Sequence, residues 1–331
     1  MSRHPSASNA RLPMSRREML ALSGLLGLHG LFGRAPRAVA APGNDTTVAK
    51  EPWGRIDRLA ENLWAIVSDP LGGNYLTVCN GGIVAGKDRV LVVEAFVGAE
   101  GARWVCEQVK ELTGRWPTDV VISHYHGDHA NGLAGFATEG ESPTVWVTDD
   151  TRRQVIETAA RRERTDAKRK AMLESAEPLP TDKVTTLDLG GRKVSLHPRS
   201  GHTSSDVTVE IEDPSTIFWG DLLWVGMFPN YRDATPSVLA ETVRSTLRER
   251  TTFHVTGHGP VATPAEIRLY QDLIDDVEKA ARLAFDKGIP PAEAAKTYKL
   301  PTAVSDWHVF QDNYFESAIS AWHHELGSDR S

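Results

Sequence analysis

The chemistry of this 331-residue chain concentrates in one short stretch, His124-Tyr125-His126-Gly127-Asp128-His129. It follows Val120-Val121-Ile122, which reads as a short buried strand, so the polar groups stand on the turn at its end. Burying three imidazoles and a carboxylate together costs too much unless something cationic satisfies them, and a divalent metal does so. His124 and His126 can face one position, while Asp128 and His129 face a second beside it. Gly127 lets the turn bend without an obstructing side chain. Three further groups appear downstream, each after a β-type run: His202 in Ser200-Gly201-His202-Thr203, Asp221 in Phe218-Trp219-Gly220-Asp221, and His258 in Thr256-Gly257-His258-Gly259-Pro260. A glycine precedes each of them, as close backbone approach to a crowded site requires.

Alternating strands and helices must position these motifs. The runs Leu63–Val67, Asn74–Val78, Gly82–Ala85 and Val90–Val93 are bounded by turn residues and predict an antiparallel meander. Glu100 to Thr113 has helical spacing, with Trp104, Val105, Val109 and Leu112 on one side and Gly114 as a stop. Residues 144–148 read as another strand. Asp149 to Ala176 reads as one long polar helical segment carrying Arg152, Arg153, Arg161, Arg162, Arg164, Lys168, Arg169 and Lys170. A solvated face with i,i+4 ion pairs is the preferred reading of those cations over a basic cover for an anionic ligand. Strands resume at Val184–Leu187, Lys193–His197, Val207–Ile211 and Thr216–Trp219. Helix is predicted at Ser237–Arg250, strand at Phe253–Val255, and a long helix from Pro264 to Lys287. From Asp306 to Leu326, Trp307, Phe310, Tyr314, Phe315, Ile319 and Trp322 recur near helical spacing, a core stripe whose second role would be to wall a pocket.

Hydrophobic residues at 40% and charged residues at 24% are globular composition. Lys and Arg number 37 against 44 Asp and Glu, a formal net charge of −7, which disfavours non-specific nucleic-acid binding. Two cysteines, Cys79 and Cys106, build no disulfide scaffold; one pairing and two free buried thiols both remain open. Residues 1–40 differ from the rest, with Arg3, Arg11, Arg16, Arg17, Arg34 and Arg37 against Glu18. The apolar stretch Met19–Phe32 is too short and glycine-rich to span a bilayer, and Ala38-Val39-Ala40 offers a cleavage site. Residues 1–40 are therefore read as a cleaved export signal that leaves no stable membrane anchor. Ser15-Arg16-Arg17-Glu18-Met19-Leu20 resembles the bacterial twin-arginine motif, with Met19 where that motif favours Phe. This implies passage through the twin-arginine machinery to the periplasm or the exterior.

The ordered pieces His-x-His-x-Asp-His, Gly-His-Thr, Gly-Asp and Gly-His-Gly resemble the metallo-β-lactamase-fold superfamily across nearly the whole mature chain. The resemblance implies an α/β (α+β) fold, an αββα sandwich of two mixed sheets flanked by helices. The catalytic domain would span residues 41–331, with a core at about 55–263 and C-terminal helices at 264–326. By the family's assignment His124, His126 and His202 bind a first metal, Asp128, His129 and His258 a second, and Asp221 bridges both. Two divalent ions, zinc before iron or manganese, would activate a water that attacks a carbonyl, with Asp128 orienting it and moving a proton. Glu94, at the end of Val90–Val93, stands where the family usually has an Asp that supports a ligand histidine.

The resemblance implies a dinuclear hydrolase of a small ester, lactone, thioester or amide. A β-lactamase is the first alternative. Asp221 stands where those enzymes mostly carry Cys or Ser, and Trp224 where one subclass has a lysine for the drug's carboxylate. An iron-dependent oxidoreductase on the same fold is the alternative of another class. Trp224, Phe228, Tyr231 and Arg232, just beyond Asp221, are expected on the pocket wall, with Arg232 facing a substrate carboxylate. Gly81 to Lys87 resembles a phosphate loop, but Asp88 follows the lysine and strands surround it, so a hairpin turn is expected. His197 and His254 are expected to be ordinary core or edge histidines, and His308, His323 and His324 to lie on the terminal helix.

Overall fold

The computed structural model describes residues 46–138, 142–248 and 250–328; the export signal read in residues 1–40 lies outside them. One sheet runs in sequence order through β1 (Thr47–Glu51), β2 (Gly54–Ala60), β3 (Leu63–Ser68), β4 (Gly81–Ala85), β5 (Val90–Val93), β6 (Asp119–Val121), β7 (Thr144–Thr148) and β8 (Glu177–Leu179). Its first five strands are antiparallel, and β5 through β8 are parallel. The second sheet holds β9 (Thr185–Asp188), β10 (Lys193–Arg199), β11 (Asp206–Glu212), β12 (Ser215–Phe218) and β13 (Phe253–Val255), antiparallel except for the β12–β13 pair.

Period-two patterning divides each strand between two cores. Along β3, Leu63, Ala65 and Val67 join Val84, Leu91 and Val93 against Val194, Leu196, Val207, Val209 and Phe218 of the second sheet. Trp64 and Ile66 point the other way, to a layer formed by α1 (Ala99–Thr113), α2 (Gly127–Ala130), α3 (Asp149–Arg161) and α4 (Ala167–Glu174). On α1, Val105, Cys106 and Val109 form the buried stripe, and the helix stops at Gly114, whose φ of +75° suits glycine. The outer face of the second sheet is covered by α5 (Pro236–Thr246), α6 (Pro264–Asp286) and α8 (Tyr314–Ser328), with Ile217 and Trp219 packed among them. α6 opens on a capping box between Thr263 and Glu266, with Pro264 in its first turn. The result is the expected αββα sandwich of two mixed sheets.

Three local expectations differ from the structure, and two others, on the cysteines and on the phosphate-loop-like segment, are decided by it. Asn74–Val78 is irregular rather than a strand: β4 pairs directly with β3, Tyr75 is exposed, and Val78 adopts a φ of +71°. The segment 149–176 is two helices, because Glu163 takes a φ of +53° and Asp166 caps α4 through the Arg169 amide. The terminal helix begins at Tyr314, so Trp307, His308 and Phe310 lie before it, after the unforeseen helix α7 (Pro291–Thr297). Cys79 and Cys106 are separate buried free thiols: Cys79 Sγ donates to the Asp128 carbonyl at 3.0 Å, while Cys106 faces Gly135. The phosphate-loop-like segment is a β4–β5 hairpin, with the Gly86 amide donating to Arg89. Among the described residues no helix is long and apolar enough to cross a membrane.

Candidate metal centre

The ligand candidates gather where strands of both sheets end. His124 follows β6, Asp221 follows β12, His258 follows β13, and His202 lies in the β10–β11 turn. This is the edge at which open α/β sheets place ligands, outside the carboxyl ends of the strands. His126 Nδ1 lies 3.1 Å from His124 Nε2 and 2.9 Å from His202 Nε2. Asp221 Oδ2 completes this cluster, 3.3 Å from His202 Nε2 and 3.7 Å from His124 Nε2. Its other oxygen, Oδ1, faces a second cluster, 3.1 Å from His129 Nε2 and 3.3 Å from His258 Nε2. Asp128 Oδ2 closes that cluster, 3.2 Å from His258 Nε2 and 3.6 Å from His129 Nε2.

The donor chemistry fits divalent cations. His129 Nε2, His258 Nε2 and Asp221 Oδ1 are buried and lack hydrogen-bond partners, although they face one another. Buried polar atoms are rarely left so, and a cation shared between them satisfies all at once. Gly220, at φ +55°, makes the turn that aims Asp221 inward. Gly257 is required for another reason: a Cβ there would overlap Asp221 Oδ1 and stand 2.6 Å from the Gly220 carbonyl oxygen.

The two clusters differ electrostatically. Burial, reinforced by neighbouring histidines, holds His124 well below its ordinary pKa and pulls His202 down to about 3. Burial also acts on His258, but Asp221 and Asp128 outweigh it and raise that group to about 9. His129 is likewise raised well above its usual range, by Cys79, Asp221, Glu94 and Asp128 against burial. Burial would raise Asp128, but His129 and His258 bring it down to about 2.

A ring of supporting groups orients these ligands. Glu94 Oε1 lies 3.1 Å from His129 Nδ1, and Glu94 Oε2 accepts from the Ser123 amide at 3.2 Å. Ser123 Oγ lies 2.9 Å from His124 Nδ1. Asp233 Oδ2 holds His126 Nε2 at 2.8 Å. Asp206 accepts from the His202 and Thr203 amides and from Thr203 Oγ1, fixing the His202 turn, and burial raises its carboxyl to about 7. Asn80 ties the β3–β4 connection to the His258 loop through Thr256 Oγ1 and the Gly259 carbonyl. Sequence reading missed Ser123, Asp233, Asp206 and Asn80. Asp233 is the next residue after the segment it examined, and adjacency was its signal.

Above the clusters lies a cavity of about 570 Å³ whose lining includes His126, Asp128, Asp221 and His258. Trp224 and Arg232 line it, as do Phe310 and Tyr314 of the aromatic stripe. Trp224 stacks on the His258 ring at 4.0 Å between centroids and is only 4% exposed. Tyr231 and Phe228, expected on this wall, are fully buried in the helical layer instead. The loop alternates here: Asn230 and Arg232 face the cavity, so Tyr231 between them turns inward and packs on Phe228. His197 lies beside Glu210, and His254 accepts from Trp219 Nε1, so neither joins the site.

Among family models, that described as the metallo-beta-lactamase superfamily matches residues 74–284. No curated protein matches the chain in sequence. Among solved structures, a metallo-beta-lactamase from Pontibacter korlensis aligns with a TM-score of 0.54 at 18% identity, over 67% of this chain and 99% of its own. A metallo beta lactamase from Hirschia baltica aligns with a TM-score of 0.53 at 17% identity, over 67% and 97%. The stereoselective inverting sec-alkylsulfatase Pisa1 from Pseudomonas sp. aligns with a TM-score of 0.63 at 14% identity, over 81% of this chain and 49% of its own.

Proposed function

This chain belongs to the metallo-beta-lactamase superfamily and is a metal-dependent hydrolase of that family, and we propose that it is an exported enzyme using two divalent ions, zinc foremost, to hydrolyse a small ester, lactone, thioester or amide. One observation carries the dinuclear reading: the two oxygens of Asp221 are divided between two separate clusters of imidazole nitrogens. His124, His126 and His202 would hold one ion, Asp128, His129 and His258 the other, and Asp221 would touch both. Bound there, such ions supply Lewis acidity and lower the pKa of water toward neutrality.

The remaining work belongs to the chain. Asp128, with a pKa drawn down to about 2, is ionised at neutral pH and lines the cavity. Its carboxylate can take a proton from an entering water and return it to the leaving group. Glu94 and Asp233 hold the rings of His129 and His126 in place from behind. Trp224, Phe310 and Tyr314 shield the bound substrate from bulk water. Export rests on Arg16-Arg17, the weakly apolar Met19–Phe32 and Ala38-Val39-Ala40. The β-lactam alternative is less well supported, since Asp221 stands where those enzymes mostly carry Cys or Ser.

The test is metal content measured on the same sample as a hydrolysis panel, with His126→Ala as control. The panel holds a chromogenic cephalosporin, an acyl-homoserine lactone, a thioester, a phosphodiester and an alkyl sulfate. The last is included because the sec-alkylsulfatase aligns with 81% of this chain. About two zinc per chain and turnover lost in the variant is the expected result. Iron with no hydrolysis of any substrate would overturn the reading in favour of redox chemistry.

A further inference from the structure

The cavity over the ligand clusters has two chemical characters. Trp224, Met227, Phe310 and Tyr314 make part of its lining aromatic and apolar. Arg161 and Arg162, from the end of α3, and Arg232, from the loop after β12, make another part cationic. Earlier along α3 the arginines are consumed locally: Arg152 pairs with Asp149, and Arg153 with Asp150 and Glu157. At the cavity this changes. Arg161 reaches Glu157 only at 3.7 Å and otherwise donates to Thr158. Among the described residues, the Arg162 and Arg232 guanidinium groups have no hydrogen bond or ion pair.

The carboxylates nearest these arginines are mostly engaged elsewhere. Asp233 is held first by His126 and also by Tyr125, with Arg232 only its weakest electrostatic partner, and Asp150 is engaged with Ser204, Gln154 and Arg153. Asp128 and Asp221 face the imidazoles. A formal net charge of −7 gives no general reason for three arginines to meet at one opening. The cavity, at about 570 Å³, is of the size that holds a small molecule.

We propose that this site takes an amphipathic organic anion. Its apolar body would lie against Trp224, Phe310 and Tyr314, and its carboxylate or sulfonate-type group, remote from the cleaved bond, would be held by Arg161, Arg162 and Arg232. Calling the anion a substrate rests on the hydrolase reading; its binding does not.

The test separates the two. Binding of 2-naphthalenesulfonate and of its neutral sulfonamide is measured by tryptophan quenching, on metal-loaded and metal-stripped protein. The comparison is wild type, Arg161→Gln/Arg162→Gln, Arg232→Gln and the triple variant, each checked by thermal melting. Wild type should prefer the sulfonate about tenfold or more, as a charged hydrogen-bonded contact supplies. The triple variant should lose that preference, and 0.5 M salt should weaken it. Equal affinity for both probes in wild type overturns the proposal, as does a preference kept by the triple variant. A preference that disappears on metal removal assigns the anion to the ions and also overturns it. In parallel, kcat/KM is measured for a chromogenic ester with a distal carboxylate and for its methyl-capped analogue, and the ratio should fall about tenfold in Arg161→Gln/Arg162→Gln. No turnover of either ester, with the sulfonate preference intact, refutes the hydrolase reading and leaves the anion site standing.

Discussion

Replacing Glu94 with glutamine should uncouple the two metal clusters. The two oxygens of Glu94 face different neighbours: Oε2 accepts from the Ser123 amide at 3.2 Å, and Oε1 lies in ion-pair contact with His129 Nδ1 at 3.1 Å. The side chain is 1% exposed, so water cannot substitute for either partner. A glutamine has one carbonyl oxygen. Turned to Ser123, it points its NH₂ at His129 Nδ1, which forces the ring proton onto Nε2, the atom that must face the metal. Turned to His129, it sets its NH₂ against the Ser123 amide and leaves two buried donors opposed. Either arrangement costs about 1–3 kcal/mol, a factor of roughly 5–150. Loss of a ligand-orienting partner ordinarily lowers metal affinity about 10–100-fold, which agrees. Glu94→Gln should therefore bind the ion of the His129–His258 cluster about 10–100-fold more weakly. The His124–His126–His202 cluster should stay within a few-fold of wild type. Competition against a chromophoric chelator at pH 7.5 reads both constants. Two ions bound with wild-type affinity would refute the reasoning.

Other consequences follow from the same geometry. Without metal, the native state favours protonated His258, raised to about 9, and protonated His129, so an ion entering there must displace protons. Affinity at that cluster should rise with pH up to about 9, whereas the cluster containing His124 and His202, both already neutral, should change far less above pH 7. Calorimetry in buffers of different ionisation enthalpy counts the released protons, and equal release at both clusters would contradict the assignment. Gly257→Ala should drive a methyl group into Asp221 and cut bound metal from about two ions per chain to one or fewer, with activity falling at least ~100-fold; unchanged metal content would show that the Gly257 contact gives way. Burial raises Cys79 and Cys106 to about 12, keeping both as inert thiols, so a thiol reagent at pH 8 should modify them only after unfolding. A rapid reaction of either in the folded protein would count against the buried placement.

Much of the fold was legible because its signals are local. Apolar runs of β-branched residues named most strands, the stripe from Val105 to Val109 and the stop at Gly114 named α1, and the ordered His and Asp motifs named the ligands by type. Where local signals misled, tertiary context overrode them. Asn74–Val78 alternates like a strand, yet β4 had already taken the edge of β3. The polar run from Asp149 keeps helical spacing, yet Asp166 restarts the helix by capping. The division of the Asp221 oxygens between two clusters was implied only by the family resemblance and not by local pattern, because it depends on turns that bring His129, His202 and His258 together. Nor was the role of Asp233, which meets His126 across 107 residues of chain. Tyr231 and Arg232 are adjacent and both looked like pocket residues; which one faces the cavity was decided by the aromatic layer beneath. The sequence by itself determined which atoms could bind metal and in what order along the chain. The closing of two sheets against each other decided where those atoms point, because side-chain direction is set by packing partners far away in sequence.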